Sequence, residues 1–187
     1  MEKQFLYPAD ILLPKKNFEE WAVIACDQYT SQPKYWEEVK NTVGDKPSAY
    51  NIILPEAYLS DDDSEKINKI NKTMADYLES NVFDVYEDTI IFTERTLKDG
   101  KKRLGIVGLI DLEDYSYTKG SKTAIRATEE TVIERIPPRV NIRKDASLEI
   151  PHIMLLIDDE DKQIIENISQ NTDKYTKLYD FIYCNMV

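Results

Sequence analysis

The chain has 187 residues, 32% of them charged and 42% hydrophobic, with a formal net charge of −11. That length suffices for a real core, while the acid excess opposes the accumulated Lys and Arg on which non-specific nucleic-acid binding depends. Twelve Tyr and two Trp argue against disorder, and the longest apolar runs, such as IMLLI, fall far below the roughly 20 residues of a membrane span.

The N-terminal MEKQFLYPADILLPKK has no long apolar core followed by a small-residue cleavage site, so it does not read as a signal peptide and the expected compartment is the cytoplasm. Cys26 and Cys184 show no CxxC spacing and are expected as reduced thiols. WAVIAC (21–26) is a continuous apolar run of strand length, and CDQYTSQP after it turns abruptly polar, a strand entering a loop. In PKYWEEVKNTVG, Tyr35, Trp36, Val39 and Val43 recur at helical spacing between Pro33 and Gly44, a start and a stop. YNIILP (50–55) reads as a second strand.

SDDDSEKINKINKTMADYLESN carries Ile67, Ile70, Met74, Tyr77 and Leu78 on one helical stripe, with Asp61 to Asp63 in the first turn, where acids suit the helix dipole. VYEDTIIFTERTL and RLGIVGLIDLEDY flank a turn containing Asp99-Gly100 and predict a β-hairpin. EIPHIMLLIDD (149–159) reads as a last buried strand and EDKQIIENISQ as a helix. Strands and helices mix without a βαβ rhythm, which predicts an α+β fold: a mixed β-sheet with helices packed on it, in a single domain over residues 1–187. The aromatic, apolar end KLYDFIYCNMV is expected to be buried, as in the N-terminal portion of a longer protein.

The five Gly form neither GxGxxG nor a phosphate loop ending in Gly-Lys-Ser/Thr. One His, His152, cannot build a His-rich zinc site, and at the start of a strand it reads either as structural or as a catalytic imidazole. The loop holding Cys26, Asp27, Gln28 and Tyr29 groups a thiol, a carboxylate, an amide and a phenol at a strand end. Such loops carry function because a sheet fixes their position, but an Asp bonded to backbone amides in a turn fits the same residues. Cys26 alone, with no His near it in sequence, reads as a small buried hydrophobe ahead of a nucleophile.

GSKTAIRATEETVIERIPPR (120–139) is the local positive spot: between 119 and 139, Lys119, Lys122, Arg126, Arg135 and Arg139 outnumber Glu129, Glu130 and Glu134 by two. As a helix it would place Lys122, Arg126 and Glu130 on one face, a salted surface worth little. As a site, Lys122, Arg126, Arg135 and Arg139 would neutralise phosphate while Thr128, Thr131 and Gly120-Ser121 at a helix start donate further bonds and Glu129 serves as base. Asp158 and Asp159, in an acidic tetrad after the last strand, are a magnesium position beside a phosphate or the cap of the next helix.

LYPADILLPK, WAVIACDQYTSQPKYWEEV, GLIDLEDYSYTKGSKTAIRATEETVIERIPPR and LEIPHIMLLIDD together resemble an uncharacterised conserved family of bacteria and archaea, a domain of unknown function often labelled ParB-like. Its members look about twice this length, so the chain resembles an N-terminal half whose partner is the C-terminal remainder. Where other branches carry His-Glu-x-Thr, this sequence has Thr128-Glu129-Glu130-Thr131; Glu129 and Thr131 match and Thr128 does not, so the role of that His has no counterpart here. A Pro-Tyr-Asp-like element corresponds to the Cys26 to Tyr29 loop and carries over to Asp27. The label implies a ParB/sulfiredoxin-like fold and relatives that include CTP-binding partition proteins, sulfiredoxin and a free-serine kinase using ADP. Family genes also lie beside serine-biosynthesis genes.

The expectation is a phosphoryl-transfer enzyme acting on a small hydroxy amino acid or its phosphate ester, with Asp27 or Glu129 as base and ATP or ADP with Mg²⁺ as cofactor. The alternative is a non-catalytic module that binds a nucleotide or phosphometabolite. A phosphorylated small molecule is the expected partner under both; a membrane is not expected and nucleic acid is disfavoured.

Overall fold

The computed structural model describes residues 4–16, 18–128, 130, 132–150 and 152–181. The chain divides into two compact units, one taking 1–12, 85–131 and 155–179 and the other 13–84, 132–154 and 180–187. Helices and short paired strands coexist in the α+β fold that the sequence pattern predicts. Among the described residues the strands form four two-stranded pairs.

In chain order the elements are β1 (Leu6–Tyr7), β2 (Ala9–Pro14), α1 (Phe18–Trp21), α2 (Pro33–Val43), α3 (Ser64–Glu79), β3 (Phe83–Thr89), β4 (Ile91–Thr96), β5 (Lys102–Val107), β6 (Leu109–Ile110), β7 (Tyr115–Ser116), β8 (Ile125–Arg126), α4 (Ile136–Arg143) and α5 (Ile165–Ser169). β2 pairs with β3.

The unit built on 13–84 and 132–154 holds the main core. Pro33 starts α2 because a missing N–H costs nothing in a first turn, and Gly44 ends it at φ 58°, a conformation that suits glycine. The helix buries Trp36, Val39 and Val43 against Val23, Ile24, Tyr50 and Ile53. α3 turns Ile70 and Met74 inward onto Ile52 and Leu54, with Trp21, Ile67 and Ile142 around them. Each such aliphatic side chain, fully buried, contributes about 1.5–3 kcal/mol. Asp62 and Asp63 precede α3 rather than fill its first turn: Asp62 accepts the Ser64 N–H at 2.9 Å and Asp63 the Ser60 N–H at 3.1 Å.

In the other unit β4 and β5 form the predicted antiparallel hairpin, with Ile91 opposite Val107 and Thr96 opposite Lys102. Gly100 closes its turn at φ 81°. β1 pairs antiparallel with β6 and β7 parallel with β8. α5 lies against β5. Gly108 marks a close approach, since a Cβ there would sit 2.7 Å from the Tyr7 carbonyl oxygen.

Four expected elements differ. WAVIAC is no strand: Trp21 ends α1 and residues 22–25 run without regular structure, Val23 and Ile24 packing on α2. A continuous apolar run requires burial, and irregular backbone supplies that as well as a strand does. YNIILP enters a 3-10 turn, Ala49–Ile52, because the Ser48 side chain accepts the Tyr50 N–H and starts a turn instead of a ladder. IMLLI has no regular structure and is exposed, Ile153 at 77% and Leu156 at 84%. The helix expected over 160–170 contracts to α5.

Candidate functional site

The stretch 120–139 is not one helix. Gly120, at φ 79°, closes a turn in which the Ser121 N–H reaches the Thr118 carbonyl at 3.0 Å, and no helix starts there. Thr123 bonds to Ser121 Oγ and to the Ile125 carbonyl, side-chain competition that keeps the backbone extended into β8. Ile125 is buried, so Arg126, its neighbour on a strand, faces outward. A 3-10 turn, Ile133–Arg135, then leads into α4. The shared helical face expected for Lys122, Arg126 and Glu130 therefore does not exist. Glu129 and Thr131 lie outside the described residues.

The expected basic cluster is divided. Lys122, Arg126 and Thr128 belong to the unit containing 85–131, and Arg135 and Arg139 to the unit containing 132–154. In the first, the Arg126 guanidinium lies 3.7 Å from the Asp158 carboxylate, both side chains exposed. Lys122 and Thr128 are exposed nearby in sequence. Asp159 serves the chain: its two oxygens accept the Gln163 and Ile164 N–H groups at 2.9 and 2.8 Å, ahead of α5. Among the described residues no group of three or more His, Cys, Asp or Glu could hold a metal ion.

The second unit brings together residues far apart in sequence. Arg139, on α4, donates through Nε and Nη2 to Glu56 Oε1 at 3.2 and 2.9 Å. Its Nη2 also lies 3.8 Å from Asp27 Oδ2. The link between the carboxylates is the backbone, where the Glu56 N–H donates to the Cys26 carbonyl at 2.8 Å. Arg143, one helical turn on, pairs with Glu149 at 3.0 Å. Hydrogen bonding to Glu56, opposed by burial and aided by the charges of Glu56 and Asp27, holds the Arg139 guanidinium above its ordinary pKa.

The loop before α2 holds Asp27 in place. The Gln28 N–H reaches the Ala25 carbonyl at 3.0 Å, Trp36 Nε1 donates to the Gln28 carbonyl at 3.3 Å, and Gln28 Nε2 donates to Asp27 Oδ1 at 3.2 Å. Tyr29 adopts φ 51°, a left-handed conformation costing a bulky side chain about 1–2 kcal/mol, and its ring stacks on Tyr35 at 4.2 Å. Burial, then the negative charges of Asp27 and Glu56, push the Cys26 thiol above its ordinary pKa although Arg143 opposes them. A raised pKa lowers the thiolate fraction and with it the reactivity of the thiol as a nucleophile. Arg135 and His152 are exposed, and Arg135 has no ion-pair partner among the described residues.

Sequence reasoning nominated Asp27 and Arg139 but separately, and it missed Glu56 and Arg143. The local signal at Glu56 was one acid following the buried LP of NIILPE, which no motif marks. No described helix is long and apolar enough to cross a membrane. The model of one family, described as "Protein of unknown function (DUF1015)", matches residues 6–185. No curated protein and no solved structure matches the chain.

Proposed function

The chain belongs to the DUF1015 family, and from that premise we propose that it is a cytoplasmic phosphoryl-transfer enzyme acting on a small hydroxy amino acid or its phosphate ester. The observation that carries this reading is the open pair of Arg126 and Asp158 at 3.7 Å. A guanidinium presents a planar fork to phosphate oxygens, and an adjacent carboxylate suits a magnesium ion, which takes one or two protein carboxylates and completes its shell with phosphate oxygens and water. Asp158 is the residue that fits such an ion, and Mg²⁺ with ATP or ADP would supply charge neutralisation of the transferred group. Lys122 and Thr128 extend the anion-binding segment.

Transfer forms a bond from the substrate hydroxyl oxygen to phosphorus and breaks the bond from phosphorus to the nucleotide oxygen, while the hydroxyl proton passes to Glu129. A non-catalytic module binding the same phosphorylated ligand is favoured by one observation: Asp27 stands 3.8 Å from Arg139, as an ion-pair partner rather than a free base.

Incubating the chain with ATP or ADP, Mg²⁺ and L-serine, and following phosphoserine in both directions, tests the reading. Turnover that Arg126→Ala reduces is the expected result. Saturable nucleotide binding without turnover supports the module instead, and neither turnover nor a nucleotide-induced shift in Tm overturns both.

A further inference from the structure

Asp27, Glu56 and Arg139 form an ion cluster that is only partly closed. Glu56, at 18% side-chain exposure, engages Arg139 fully, but Asp27 and Arg139 are 44% and 45% exposed and stop 3.8 Å apart. That gap exceeds hydrogen-bonding distance. Oδ1 of Asp27 takes the Gln28 amide, leaving Oδ2 with no hydrogen bond among the described residues. Arg139 spends Nε and Nη2 on Glu56, and its Nη1 makes no hydrogen bond among the described residues. Asp27 and Arg139 thus form a loose ion pair at the surface, each keeping polar atoms that make no hydrogen bond among the described residues. α4 carries Arg139, and the Cys26 carbonyl to Glu56 N–H bond ties the Asp27 loop to the start of a 3-10 turn, Glu56–Tyr58.

A fastening salt bridge alone does not account for the loop's backbone. Tyr29 sits in the left-handed region two residues from Asp27, its ring held by Tyr35 and the preceding carbonyl by Trp36. Strain maintained by surrounding contacts is characteristic of ligand clamps.

We propose that Asp27, Glu56 and Arg139 form a binding site for the zwitterionic head of a free α-amino acid, the ammonium on Asp27 and the carboxylate on Arg139. An amino acid carries its ammonium and carboxylate on one carbon, and Asp27 and the Arg139 guanidinium, 3.8 Å apart at Oδ2 and Nη2, offer opposite charges at that scale. With two carboxylates and one guanidinium the cluster is net negative, so it also favours the ammonium over an isolated anion. Charge-assisted bonds to both ends give the orientation that a lone cation or anion site lacks. Glu56 orients Arg139 and is a positioning residue. The site lies wholly within the unit containing 13–84 and 132–154, and it rests on the reading above only for the amino acid's part in phosphoryl transfer.

Isothermal titration of the 187-residue chain with L-serine, L-alanine, ethanolamine and lactate, without nucleotide, tests it. L-Serine and L-alanine are expected to bind saturably, with ethanolamine and lactate each about tenfold weaker or worse, because each lacks one charged end. Asp27→Asn and Arg139→Lys are each expected to weaken L-serine binding by about tenfold or more. Circular dichroism and Tm show whether each variant is folded, and the exposed Asp27→Asn still tests the site if Arg139→Lys unfolds. Absence of amino-acid binding to the folded chain overturns the proposal, as does binding that Asp27→Asn leaves unchanged. Amino-acid binding without phosphoserine formation removes only the phosphoryl-transfer reading. Nucleotide-dependent chemistry without any amino-acid binding removes only this site.

Discussion

Arg139 donates two hydrogen bonds to one oxygen of Glu56, at 2.9 and 3.2 Å, across 83 residues of sequence. The pair fastens α4, which arrives late in the chain, to the short 3-10 turn before α3. Ion pairs with one exposed partner are worth about 1 kcal/mol or less, and charge-assisted hydrogen bonds somewhat more. Glu56→Gln is accordingly expected to lower stability by about 1 kcal/mol in urea unfolding, with the far-ultraviolet circular dichroism spectrum unchanged.

Gly108 and Gly105 are both on or beside β5, and their surroundings separate them. A Cβ at Gly108 would meet the Tyr7 carbonyl at 2.7 Å and a Leu6 methyl at 3.1 Å, whereas at Gly105 it meets only Thr93 Oγ1, at 3.2 Å. A carbonyl cannot move without displacing β1 from β6, so Gly108→Ala is expected to cost about 1–3 kcal/mol. Gly105→Ala costs less, because a side-chain hydroxyl can turn. Thermal melts of both variants give the ordering.

The Cys26 thiol yields a prediction on the alkaline side. Its pKa is raised, first by burial and then by Asp27 and Glu56. A raised folded value means a contribution to stability that is complete below the ordinary thiol value, about 8.5, and is lost as pH rises through the folded one. Iodoacetamide labelling of the Cys26 peptide, read by mass, should lag an unstructured thiol near pH 8. The loss of stability above that pH should diminish in Cys26→Ala.

Asp63 gives the opposite dependence. Burial pushes its carboxyl up, but hydrogen bonds from Lys66 at 2.6 Å and Ser60 at 2.7 Å outweigh it and hold the group below the ordinary aspartate range. A depressed folded pKa supplies stability above the unfolded value, about 3.9, and that stability is lost as pH falls through the folded one. Asp63→Asn should therefore be less stable at neutral pH and show a shallower loss on acidification, measured by urea midpoints from pH 7 to 2.

Much of the local architecture is legible in residue pattern. Trp36, Val39 and Val43 between Pro33 and Gly44 define α2, Ile67, Ile70 and Met74 define α3, and Asp99-Gly100 between two β-rich runs defines the β4–β5 hairpin. These elements are determined by periodicity and turn chemistry, which act over a few residues. The site was legible only in fragments: Asp27 stands out as a carboxylate in a polar loop and Arg139 as one cation of a basic run.

Which segments can be helix or hairpin, and which must be buried, follows from the order of side chains along the sequence, because periodicity and capping act over a few residues. That order could not determine whether WAVIAC, YNIILP and IMLLI become strands. A strand exists only when another backbone offers its hydrogen bonds, and the partner is chosen by the tertiary fold. The same holds for Arg139: its charge is written in the sequence, but its proximity to Glu56 and Asp27 comes from α4 packing Ile142 against the Ile52, Leu54, Ile70 and Met74 core.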